Sequence, residues 1–277
     1  MLDPVSGAAG SMGATVTERA GDSYFPWESD EPTVSEQDGI RYLHFGTEWV
    51  QGAMRLRRPN DLVLAYTQQM MAWLLFRECD REDEIAILGL GAGSLLRFTL
   101  RQTLARVTTV EWNPLVTAIC RSHFRLPESS RSSIEHCDAA DWVRAPENIG
   151  RYSVLMVDLY DAAAQGPVRG SPEFYADCAR ALGEHGMISV NLFGEHKSFE
   201  PNLAGLRAAF PEGVLILPEI DAGNRVVLGV KGQWLDVAVG EFLERAEQVE
   251  RQYRLPAQRW ARDILMQLQR RAAGSRA

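Results

Sequence analysis

The stretch Glu84-Ile85-Ala86-Ile87-Leu88-Gly89-Leu90-Gly91-Ala92-Gly93-Ser94 decides how the chain is read. Its apolar run, Ile85 to Leu88, predicts a buried strand. The glycines follow at once, and residues 94–106 then place Leu95, Phe98 and Leu104 near helical spacing. Residues 107–110 read as a second buried strand with Glu111 at its end. This is a strand, a phosphate-style turn, a helix and a parallel strand. Gly89, Gly91 and Gly93 let the backbone approach a ligand closely. An acid about 20 residues further on can accept hydrogen bonds from ribose hydroxyls. A tight turn and a surface glutamate would use the same residues, but the βαβ context and the register of Glu111 favour a nucleoside site.

On either side the pattern repeats. Downstream, residues 114–124 predict a helix, 133–137 a third strand ending at Asp138, 139–143 a helical turn, and 154–157 a fourth strand bounded by Asp158. Residues 161–171 have loop composition, just past a strand's carboxyl end, where open α/β sheets bind ligands. A helix over 172–182, a strand over 187–192 and a helix over 198–210 follow. Strands over 214–217 and 226–230 flank Gly223-Asn224 and are expected to pair as a hairpin. The alternation predicts an α/β fold with a mostly parallel sheet, helices on both faces and an antiparallel edge. Residues 239–268 are helical with a break near Pro256, a packing or dimer element.

Upstream, Asp38-Gly39 between alternating segments predicts a β-hairpin, with a further strand within residues 47–55. Residues 62–76 predict a helix with Leu62, Tyr66, Met70, Trp73 and Leu74 on one face and Asn60 or Asp61 as cap. Residues 1–31 lack periodicity and are expected to form a disordered tail. The organisation expected is therefore that tail, a small N-terminal β unit over 32–60, a nucleoside-binding domain over 61–237 and C-terminal helices over 238–277.

The composition narrows the function. The chain has 277 residues and a formal net charge of −8, which disfavours nucleic acid and suits a cationic ligand. Cys79, Cys120, Cys137 and Cys178 form no C-x-x-C pair and are read as reduced thiols in a cytoplasmic protein. No apolar run reaches membrane-spanning length, and no signal peptide is evident. The five histidines show no metal-ligand spacing. Gly-x-Ser-x-Gly and P-loop motifs are missing. Glu111, Asp138, Asp158 and Asp161 stand at strand ends, which a parallel sheet gathers on one rim. Glu111 suits a ribose, Asp138 an adenine amino group or a helix cap, and Asp158 with Asp161 a cationic amine. Neighbouring carboxylates raise one another's pKa, so one of them can accept a proton near neutrality. Trp112, beside Glu111, could flank an adenine.

From about Gly39 to Lys231 the chain resembles the spermidine synthase (polyamine aminopropyltransferase) family, which has the class I methyltransferase-like Rossmann fold. The resemblance rests on the Asp-Gly hairpin, Gln51-Gly52-Ala53-Met54, Tyr66 and the glycine loop. Further along it rests on Val110-Glu111, Phe124-Arg-Leu-Pro127, Asp138-Ala-Ala-Asp-Trp142, Asp158-Leu-Tyr-Asp161 and Phe174-Tyr175. It implies a seven-stranded sheet and metal-free transfer of an aminopropyl group from decarboxylated S-adenosylmethionine to a small polyamine. It also implies roles by position: Gln51 and Glu111 on the nucleoside, Asp138 at the adenine, and Tyr66 orienting the amine or aminopropyl group. Asp158 would take the amine's proton, and Asp161 would grip the amine. Three departures stand out. Ala92 occupies the place of a family aspartate expected to pair with the aminopropyl ammonium, Ala162 replaces a proline, and Gln68 stands where glutamate is common. Intact S-adenosylmethionine as co-substrate, in a small-molecule methyltransferase, therefore stays open. So does a non-catalytic polyamine or nucleoside binder. A homodimer is expected.

Overall fold

A computed structural model describes residues 31–46, 49–160, 169–220 and 223–274. The tail expected over 1–31 and the acid Asp161 thus fall outside the described residues, Glu31 apart.

The chain opens with β1 (Pro32–Gln37), β2 (Ile40–Phe45) and β3 (Gly52–Arg55), a three-stranded antiparallel sheet. Asp38 and Gly39 both have positive φ, the geometry of a tight hairpin turn whose twist matches the strands. A short helix follows, α1 (Ala65–Gln69), continued by a 3-10 helix, Met70–Leu75. The single α-helix expected over 62–76 is therefore corrected. All six residues of the 3-10 turn are buried, so packing on every side, not one apolar face, sets its pitch. Neither Asn60 nor Asp61 caps α1; its N-cap is Leu64, and Asp61 instead pairs with Arg58.

The main body alternates β4 (Glu84–Leu88), α2 (Ser94–Gln102), β5 (Arg106–Val110), α3 (Pro114–His123), β6 (Ser132–Glu135), α4 (Ala139–Arg144) and β7 (Tyr152–Val157). It continues through α5 (Pro172–Ala181), β8 (Leu182–Phe193), α6 (Phe199–Ala209), β9 (Gly213–Ile216) and β10 (Asn224–Val230), and ends with α7 (Val239–Tyr253) and α8 (Ala257–Gly274). Helix α2 stops at Gln102, where the Thr103 hydroxyl donates to the Thr99 carbonyl. Leu104 is thus off the helix and 49% exposed, not on its apolar face.

The second sheet has seven strands in the order β6-β5-β4-β7-β8-β10-β9. Its first five pair in parallel, while β10 runs antiparallel to both β8 and β9. The expected hairpin of β9 and β10 forms the antiparallel edge, with β9 outermost and the reversed strand β10 beside β8. Alternate residues feed two cores. Ile85, Ile87, Val154 and Met156 join α2, α3, α7 and α8 on one face. Ala86, Leu88, Leu155 and Val157 join α4, α5 and α6 on the other. Helices thus cover both faces, as parallel strands require.

Arg97 of α2 holds this body to the N-terminal unit. It is 2% exposed and, among the described residues, has no carboxylate partner; it donates to the carbonyls of Pro59, Ala92 and Phe124. Ser94 beside it donates to Ala53 of β3. Replacing Arg97 by Leu would leave the buried carbonyls of Ala92 and Phe124 and the part-buried carbonyl of Pro59 without this donor, each buried one worth about 1–3 kcal/mol. We predict that Arg97→Leu lowers unfolding free energy in urea by about 3 kcal/mol or more. A loss below about 1 kcal/mol would show that these carbonyls find other donors.

Candidate active site

The strand order changes direction between β4 and β7, since β5 and β6 lie to one side of β4 and β8 to the other. Ligands of open α/β sheets bind at such a switch point, outside the strands' carboxyl ends. Gly89 ends β4 there, with φ +95°, and a Cβ built on it would lie 2.1 Å from the Asp158 carbonyl oxygen. Any side chain at 89 would drive the two strand ends apart. The Asp158 amide donates to Leu88 and the Gly89 amide to Val110, so the loop is stitched to strands on both sides.

The acids converge on this loop from different strands. Glu111, at the end of β5, is 7% exposed and accepts from the amides of Leu90 (3.1 Å) and Asn113 (2.9 Å). Burial pushes its pKa up to about 6, against the pull of amides from Asn113, Leu90 and Trp112. The carboxylate retains lone pairs beyond those two bonds, which ribose hydroxyls could use. Asp158, at the end of β7, accepts from Asn191 Nδ2 at 2.9 Å and from the Tyr66 hydroxyl. Burial raises its pKa to about 6, offset in part by those two bonds. Burial, then the Asp158 charge, drives the Tyr66 hydroxyl well above its ordinary range, so it stays a donor. Tyr160 donates to the Asn191 carbonyl at 3.1 Å.

The remaining predicted residues fall as follows. The Gln51 carbonyl lies against Gly91, 3.1 Å from where a Cβ would stand, which places β3's entry over the glycine loop. Gly91 and Gly93 have φ of +49° and +69°, and Gly93 is the N-cap of α2. Ala92 is 2% exposed and packs against Gly52; a Cβ on Gly52 would meet the Ala92 Cβ at 2.5 Å. Asp138 caps α4 by accepting from Ala140 at 2.7 Å, and Arg169 binds both its oxygens. The bond from Arg169 pulls its pKa down. Glu111, Asp158, Tyr66, Gln51 and the three glycines thus gather on one rim, while Asp138 is tied to Arg169. Trp112 is 39% exposed beside Glu111. Among the described residues no three His, Cys, Asp or Glu side chains cluster to hold a metal, and no helix is long and apolar enough to cross a membrane.

Sequence reasoning missed Asn191, Asn224, Tyr160 and Arg169. One signal was available for Asn191: an amide inside an apolar strand, near its carboxyl end. Arg169 gave none, because its partner lies 31 positions away.

The sheet order, the glycine loop and the acids at its switch point define a protein of the methyltransferase-like Rossmann class. A probable spermidine synthase from Corynebacterium glutamicum superposes with a TM-score of 0.65 at 19% identity, covering 78% of this chain and 83% of its own, a likeness of fold. No family model matches the chain. The polyamine aminopropyltransferase of Neisseria meningitidis is 32% identical over 229 residues, 81% of this chain and 85% of that one. That of Chromobacterium violaceum is 31% identical over 242 residues, 80% and 91% of the respective chains. The chain belongs to the polyamine aminopropyltransferase family and is an enzyme of it.

The raised pKa of Asp158 has a consequence for stability. The folded protein keeps a proton on it between about pH 4, its ordinary value, and about 6. Folding is thus favoured below that window, and the contribution is lost as pH rises through it. We predict that Asp158→Asn raises stability at pH 7.5 by on the order of 2 kcal/mol, with the gain vanishing near pH 4. Parallel melting curves at the two pH values check this; an equal change at both would mean that Asp158 titrates normally.

Proposed function

We propose that the protein transfers an aminopropyl group from decarboxylated S-adenosylmethionine to a small polyamine and releases methylthioadenosine. The observation that carries this is the Asp158 carboxylate at the switch point, buried, held by Asn191 and Tyr66, with a pKa near 6. An ammonium near pKa 10 cannot attack carbon, so a base must first remove its proton. Asp158 accepts that proton. The amine nitrogen then bonds to the methylene beside the sulfonium, the carbon–sulfur bond breaks, and its electron pair stays on sulfur. The product is a secondary ammonium, and the leaving group is a neutral thioether. Holding amine, carbon and sulfur in line supplies much of the barrier reduction.

In this reading Gly89, Gly91 and Gly93 admit the nucleoside, Glu111 and Gln51 hold its ribose, and Tyr66 orients the amine or aminopropyl group. Asp138 would meet the adenine only through lone pairs that Arg169 leaves open. Asp161 grips the amine substrate.

Ala92 favours a second reading. An apolar residue there neither pairs with an aminopropyl ammonium nor repels a carboxylate. Intact S-adenosylmethionine, with methyl transfer to an amine, therefore remains a competing donor.

Incubation with decarboxylated S-adenosylmethionine and putrescine, cadaverine or spermidine should release methylthioadenosine. Should none of these amines react while the nucleoside still binds, the reading fails; S-adenosylhomocysteine from the intact donor would favour its rival. Asp158→Asn should lower turnover at least about a hundredfold. Glu111→Ala should mainly weaken nucleoside binding, and an unchanged dissociation constant would remove it from the ribose. Ala92→Asp should shift preference toward the decarboxylated donor; no shift in the ratio of kcat/KM values would place the donor's tail elsewhere.

A further inference from the structure

Behind Asp158 lies a pair of amides, of which the reaction described above uses only Asn191, as a hydrogen-bond partner of Asp158. Asn191 is on β8, 2% exposed, and its Nδ2 donates to Asp158 Oδ1 at 2.9 Å. Asn224, the first residue of the reversed strand β10, donates through its own Nδ2 to Asn191 Oδ1 at 3.1 Å. An asparagine amide has two ends, a donor and an acceptor, and can face a neighbour with either. The ionised Asp158 carboxylate settles which end of Asn191 faces it, since a flipped Asn191 would turn its oxygen on that carboxylate. The Asn191 oxygen is then left facing Asn224, and it takes the donor end of that second amide.

We propose that Asn191 and Asn224 are positioning residues that form a two-amide relay, orienting the Asp158 carboxylate so that it receives the amine's proton in a fixed geometry. The relay rests on the aminopropyl-transfer reading for its catalytic meaning, but its effect on Asp158 does not.

The surroundings favour such a device. Tyr66 faces Asp158 from α1, Tyr160 lies two residues on, and Tyr175 of α5 stands behind Tyr160. Gly89 brings only backbone from β4. Among the described residues no cation contributes to Asp158's ionisation, so neutral donors alone offset its burial. The Asn191 carbonyl accepts from Tyr160, which fixes the backbone as well as the side chain. The reversed strand takes part in this arrangement: β10 pairs with β8, and that pairing sets Asn224 against Asn191. Its start is held by backbone bonds, Gly223 donating to Ile220 and Gly194 donating to Gly223.

The test follows the Asp158 carboxyl carbon by NMR in full-length, substrate-free protein labelled at aspartate, with Asp158→Asn assigning the signal. In Asn191→Leu the ionisation midpoint should rise by about one to two pH units, the scale of a lost bond to a charged group. Asn224→Leu should move it the same way by less. The double variant should match Asn191→Leu alone, because Asn224 acts only through Asn191. The acid limb of kcat/KM should move with the midpoint while KM for the nucleoside stays constant. An unmoved midpoint in Asn191→Leu overturns the relay, as does an Asn224→Leu shift that adds in full to the first. The nearly isosteric Asn191→Asp covers the case in which the leucine variant does not fold. Two adjacent carboxylates should then titrate as a pair with one midpoint raised further, and independent titration overturns the proposal. Shifted midpoints in a protein that makes no methylthioadenosine would overturn the assigned reaction and leave the relay standing.

Discussion

The contact between Gly89 and the Asp158 carbonyl governs the rest of the site. The two strand ends come so close that no side chain fits at position 89. That approach draws the end of β7 against the glycine loop, and it fixes where the Asp158 carboxylate emerges. The loop presents the Leu90 amide to Glu111 and then turns away through Gly91 and Gly93, both left-handed. Two acids from strands on opposite sides of β4 are thereby referred to one short backbone segment. Disturbing that segment would move the nucleoside and the base together.

A loop of glycines has little intrinsic rigidity, since each gains much backbone freedom on unfolding. Rigidity here comes from below and above. Beneath, Arg97 binds the Ala92 carbonyl, and the Cys120 thiol donates to Gly91. Above, Gln51 and Gly52 lie on Gly91 and Ala92. The N-terminal sheet is therefore part of the site's frame, and Gly52 is small because Ala92 lies under it. The same packing makes position 92 apolar in surroundings. An aspartate there would have to hold its charge in a nearly buried place, where an unpaired ion is costly.

The two raised carboxylates illustrate a trade between folding and chemistry. Each is destabilising near neutrality to the extent that burial disfavours its ionised form. The donors around them recover part of that cost and at the same time set their direction. Asp138 is the contrast: half open and bound by Arg169, its pKa is pulled below the usual range, and it is poorly suited to accept a proton.

Much of this was legible in the sequence because it is local. The strand, glycine loop, helix and strand around Glu111 are contiguous, and the period of the apolar residues carries them. The parallel alternation, the Asp38-Gly39 hairpin and the helix break near Pro256 are readable for the same reason. The pitch of the 3-10 helix, the early end of α2 and the insertion of β10 beside β8 were not, because packing from distant elements decides them. So it was with the site. Asp158 and Glu111 announce themselves as acids at strand ends, but nothing in the order of residues says that Asn224 orients Asn191 or that Arg169 occupies Asp138. Those bonds join residues 33 and 31 positions apart, and only the folded chain brings these polar side chains within hydrogen-bond reach.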